Sequence, residues 1–130
     1  MQNLTHWERS YSVGNWMLDN QHRNIMILCQ QTIDRIAVDQ PFRSAGSELL
    51  IFTGEHFSAE ERLLAMTGYA TLEHHREEHR RCLAALEQML DDAASGRISP
   101  EMLGDALSRW CVGHILDSDR QFSPFIQRRH

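Results

Sequence analysis

Apolar residues in this chain return every three to four positions in four stretches, the spacing of one buried face on a helix. The first, residues 19–38, carries Ile25, Met26, Cys29, Ile33 and Ile36 on one stripe. The second, residues 42–66, carries Leu49, Phe52 and Leu63. The third, residues 71–94, carries Leu72, Cys82, Leu83, Leu86, Met89 and Leu90. The fourth opens with Ser99 as a cap and Pro100 in the first turn, then runs through Leu103, Leu107 and Trp110 to about residue 119. Pro41, Gly68, the Ser95 and Gly96 pair, and Pro124 supply the breaks. No strand-like alternation persists. Links this short favour antiparallel neighbours. The pattern therefore predicts a single all-α domain over residues 1–130, an up-down-up-down antiparallel four-helix bundle (19–129). An N-terminal arm (1–18) packs Trp7, Tyr11, Val13 and Trp16 onto it.

The same stripes contain polar residues. His22 heads the first stripe, and His56 and Glu60 fall within the second. Extending the third backwards in helical steps lands on His75 and His79 and passes over His74. His114 continues the fourth. In an antiparallel bundle, the start of the first and third helices meets the end of the second and fourth. The offsets then agree within roughly two turns at ~1.5 Å per residue. A lone helical histidine is ordinarily a surface or hydrogen-bonded core residue. Five of them with a carboxylate in one dry layer need strong compensation, which a metal ion supplies. Imidazole with carboxylate suits iron, manganese or zinc. The absence of clustered cysteine argues against a thiolate zinc or iron–sulfur site.

Composition narrows the partners. The chain has 130 residues, 42% hydrophobic and 24% charged, with a formal net charge of -5. That balance argues against nucleic acid and against anionic membrane surfaces, which both need a basic face. No apolar run approaches the roughly 18 residues of a membrane span, and the opening MQNLTHWERS lacks the pattern of a signal peptide. The three cysteines, Cys29, Cys82 and Cys111, are widely spaced. They suit reduced thiols and a cytoplasmic location.

Taken in order, Trp7, Tyr11, Val13, Gly14, Asp19, Gln21, His22, His56, Phe57, Glu60, Glu61, Gly68, Tyr69, His75, His79, Trp110, His114, Ile115 and Asp119 resemble the motifs of a bacterial hemerythrin. The likeness spans nearly the whole chain. It implies a non-haem centre of two iron ions with an oxo or hydroxo bridge. By the resemblance, His75, His79 and His114 hold one iron, His22 and His56 hold the other, and Glu60 and Asp119 bridge them. Asp119 rests on the resemblance alone, because five residues past His114 turns about 140° off the α-helical face. That ligand calls for an irregular helix end.

The resemblance further implies reversible O2 binding at the two-histidine iron, with nitric oxide or small anions such as azide as other ligands. Such a protein is a binder rather than an enzyme. It serves as an O2 carrier, store or scavenger, or as a sensory module read by an output domain or partner. Ile25, Phe57, Trp110, Cys111 and Ile115 lie within about a turn of ligands and are candidates for the O2 pocket, or for plain core packing. Cys111 stands where the family usually carries a larger aliphatic. It either opens onto the pocket or packs against the first or third helix. A di-iron redox enzyme or iron-storage protein is the alternative. Ferritin-like sites use Glu three residues before His, and no histidine here has that partner. A zinc hydrolase is weaker still, since no HExxH is present.

Overall fold

The computed structural model describes residues 15–116, and their side chains as far as residue 113. Four α-helices follow one another: α1 (Trp16–Ala37), α2 (Arg43–Thr67), α3 (Leu72–Ala94) and α4 (Pro100–Arg109). A π-helical segment, Trp110–Leu116, continues α4. No strand is present among the described residues. The main contacts run from α1 to α2, α2 to α3, α3 to α4 and α4 back to α1. That ring of neighbours is the expected bundle.

Local chemistry sets the ends. α1 begins three residues before its expected start because Asn15 Oδ1 accepts the Leu18 N–H at 3.0 Å. Trp16 therefore belongs to the first helical turn, and its ring is 81% exposed rather than packed. Trp7, Tyr11 and Val13 lie outside the described residues. α4 starts as its sequence indicates, with Ser99 Oγ accepting the Met102 N–H at 3.1 Å and Pro100 in the first turn. α2 stops at Gly68, whose φ of 70° is left-handed. The Tyr69 N–H then reaches back to the Leu64 carbonyl at 3.1 Å.

The buried face of α2 corrects the sequence reading. Leu49, Thr53, His56, Phe57, Glu60 and Leu64 are buried, whereas Phe52 and Leu63 only flank that stripe. Thr53, His56 and Glu60 interrupt the stripe, so counting apolar residues pointed slightly aside.

Two apolar clusters result. The larger joins Ile25, Met26, Cys29, Ile33, Leu49, Phe57, Leu86, Leu103, Leu107, Trp110 and Cys111. The smaller has Leu18 and Leu64 at its centre, with Leu63, Tyr69 and Leu72 against it. Burying each such leucine contributes about 1.5–3 kcal/mol. Along α1, α2 and α3 the polar stripe residues fall between the two clusters.

Gly54 within α2 and Gly68 at its end make a test of this description. A Cβ at Gly54 would lie 3.9 Å from Leu83 Cδ1, an ordinary contact, in a mid-helix position. Gly54→Ala should stabilise the fold by about 0.5–1 kcal/mol through helix propensity. Gly68→Ala places a side chain at positive φ and should destabilise by at least as much. Thermal unfolding of both variants checks this, and equal shifts would contradict it.

Candidate metal centre

Glu60 is the hub of the polar layer. It sits on α2 one turn after His56, and both are buried. Its Oε2 lies 2.9 Å from His56 Nε2 and 3.4 Å from His22 Nε2 on α1. Its Oε1 lies 3.2 Å from His79 Nε2 on α3. One carboxylate thus faces imidazoles from three helices. Two groups of potential ligand atoms lie within 4.8 Å of one another: His22, His56 and Glu60, and Glu60, His75 and His79. All five residues are buried, and Glu60 belongs to both groups.

The hydrogen bonds behind the rings fix their protonation. His79 Nδ1 lies 2.7 Å from Glu61 Oε2, and His56 Nδ1 lies 2.7 Å from Gln21 Oε1. A carboxylate and an amide oxygen can only accept, so both Nδ1 atoms carry the proton. Each Nε2 is then left to meet Glu60. Were all these rings imidazolium, one carboxylate would face several positive charges in a dry layer, an unfavourable balance. His75 already leans the other way, because burial first and neighbouring His79 second hold it below the ordinary histidine range. Neutral rings instead aim Nε2 lone pairs at the lone pairs of Glu60. Cations between them turn that repulsion into coordination, so the donor set fits metal ions.

Packing holds the rings. His22 and His56 meet edge to face at 4.5 Å, and His75 and His79 do so at 4.3 Å. Phe57 stacks on His79 with 3.8 Å between centroids and 5° between planes. His74 takes no part; its side chain is 73% exposed and paired with Glu78 at 3.2 Å.

Of the seven sequence-derived ligands, the structure brings together His22, His56, Glu60, His75 and His79. The side chain of His114 and the whole of Asp119 lie outside what is described. Of the pocket candidates, Ile25, Phe57, Trp110 and Cys111 are buried in one cluster, while the side chain of Ile115 lies outside the description. Trp110 Nε1 donates to the Cys82 carbonyl at 3.1 Å, pinning the start of the π-segment to α3. The Cys111 thiol lies beside Cys29 of α1, and that contact together with burial pushes the Cys29 thiol well above its usual range. Cys29 also approaches the Leu107 carbonyl at 3.6 Å. Gln21 and Glu61 were not assigned roles from sequence; their signal is direct adjacency to His22 and Glu60.

Residues 13–126 match the family described as the hemerythrin HHE cation binding domain. The chain belongs to the hemerythrin family. A hemerythrin-like protein of Naegleria gruberi is 31% identical over 120 residues, covering 89% of this chain and 88% of that protein. A bacteriohemerythrin of Campylobacter jejuni is 24% identical over 97% of this chain and 98% of its own length. Another, from Stenotrophomonas maltophilia, is 25% identical over 93% of this chain and 80% of that protein. The family model describes a cation-binding domain, and the buried His/Glu layer is a group of residues that could hold such an ion. Among the described residues, no helix is long and apolar enough to cross a membrane.

Proposed function

We propose that the chain binds O2 reversibly at a pair of iron ions in this layer. The observation that carries the reading is Glu60, one buried carboxylate shared by two imidazole groups. His22, His56 and Glu60 would hold one ion. His75, His79 and Glu60 would hold the other, joined by His114 and with Asp119 as a second bridge if the family pattern extends to them. A bound ferrous pair would supply the reversible electron donation that O2 binding needs. With His114 on the other ion, the His22 and His56 subsite would have one imidazole fewer, which leaves room for O2, nitric oxide or azide there. Ile25, Phe57 and Trp110, buried together in the larger cluster, would keep the approach to the layer apolar. Gln21 and Glu61 hold the imidazoles in the tautomer that presents Nε2 inward. The three free thiols suit a reducing, cytoplasmic compartment. O2 carriage, storage, scavenging and sensing all draw on this chemistry.

The test is direct. Purified protein should contain two irons per chain. Reduced without air and then exposed to O2, it should gain near-ultraviolet and visible absorption that argon removes. Azide added to the oxidised protein should shift those bands. One metal per chain, or tightly held zinc with no O2-dependent spectrum, would refute the proposal.

A further inference from the structure

The two subsites are backed by different chemistry in the same geometry. His56 Nδ1 meets the amide oxygen of Gln21 at 2.7 Å, and His79 Nδ1 meets a carboxylate oxygen of Glu61 at 2.7 Å. Each acceptor reaches across a helix pair. Gln21 of α1 backs a histidine of α2, and Glu61 of α2 backs a histidine of α3. Glu61 is itself held: its other oxygen lies 3.4 Å from Arg76 Nε, and Arg76 also grips Glu73. Its side chain is 22% exposed, so it stays hydrated on one side while it backs a buried ring.

An amide oxygen orients an imidazole. A carboxylate also draws on the Nδ1 proton and makes the opposite nitrogen a stronger donor. Arg76 offsets part of that negative charge, but its own side chain is 35% exposed and water screens it. We propose that Glu61 and Gln21 are positioning residues that make the two subsites unequal: Glu61 raises the affinity of the His75 and His79 subsite, while Gln21 only orients its neighbour. The inference rests on the metal-site reading above. His114, placed by the family pattern, would favour the same subsite, so loading order does not test it. Removing the charge while keeping the shape does.

The experiment is a Co2+ titration of the metal-free protein without air, followed by ligand-field absorption against a competing chelator. Wild type should show two binding steps. Glu61→Gln should weaken the tighter step by about 10–100-fold, the usual effect of losing such a partner. It should leave the weaker step within about threefold. Gln21→Glu should tighten the weaker step. Nitrogen-detected NMR of the histidines without metal supplies a second readout. The His79 Nδ1–H should persist in Glu61→Gln, because the amide oxygen still accepts, and should be lost in Glu61→Ala. Two Co2+ steps unchanged by Glu61→Gln, or both weakened equally, would overturn the inference and leave the metal site standing. A wild-type chain that binds no Co2+ would overturn the metal site and the inference with it.

Discussion

Glu60→Leu should yield a helical protein that retains neither metal ion. Glu60 is the only residue common to both groups of ligand atoms among the described residues. It is fully buried, and its two oxygens serve different helices. Leucine has similar volume, so the layer stays filled without a cavity. The loss should be visible as metal content falling from two ions per chain to almost none. Stabilisation by bound metal, about 4 kcal/mol at a thousandfold excess over the dissociation constant, should vanish with it. The metal-free variant should move the other way. Burying a carboxylate among neutral imidazoles costs free energy, so the metal-free Glu60→Leu protein should melt no lower than its metal-free parent. Metal analysis and thermal melts with and without chelator measure both effects. A Glu60→Leu protein that keeps two ions, or a metal-free form much weaker than its parent, would show that Glu60 is structural.

His75→Ala and His74→Ala should differ sharply. The two are neighbours in sequence and point to different surroundings. His75 is buried at 4% exposure within the second ligand group, with Tyr69 edge-on at 6.4 Å. His74 faces solvent with Glu78. His75→Ala removes a ligand and opens a gap among polar side chains, so bound metal should fall by at least half. The loaded protein should also lose several degrees of melting temperature, since about 1–3 kcal/mol accompanies each buried polar group left unmatched. His74→Ala removes one exposed pairing worth at most about 1 kcal/mol and should leave metal content unchanged. Equal losses from the two variants would mean the buried seam of α3 was misassigned.

That contrast shows what the sequence made legible. Helical spacing alone separates His75 from His74, because α3 carries a clear seam from Leu86 back to Leu72. It also placed His22, His56, Glu60 and His79 at one depth, where the structure finds them. The sequence was less informative where polar residues carry the buried face. On α2, Thr53, His56 and Glu60 interrupt the stripe, so Phe52 and Leu63 looked central when they only flank it. The resemblance included Gln21 and Glu61 without giving either a role, and Arg76 went unnoticed; all three sit off the seams, Gln21 and Glu61 against a histidine ring and Arg76 against Glu61. Asn15 escaped notice because its cap lies ahead of the first apolar residue of the stripe. The fourth helix is the instructive case. An α-helical step of five residues put Asp119 off the face of His114, which called for an irregular end. The structure widens the backbone into a π-helix from Trp110 to Leu116. In that geometry hydrogen bonds span five residues rather than four, so an α-helical wheel no longer applies there.

The two apolar clusters lie on either side of the polar layer along α1 to α3, and they are very unequal. The larger joins eleven buried residues; the smaller rests on Leu18 and Leu64 with three half-buried companions. Among the described residues, Phe57 reaches from the larger cluster into the layer, where it stacks on His79. Among the described residues the smaller cluster has fewer buried side chains, so in the absence of metal the end that holds Leu18, Leu64 and Tyr69 should open before the rest. Amide protons there should exchange at a much lower free energy than those around Leu86 and Leu107. Bound metal would weld the two halves into one cooperative unit. Melting would then change from a broad transition to a single sharp one, and the rate at which ions exchange would be set by fraying of this end.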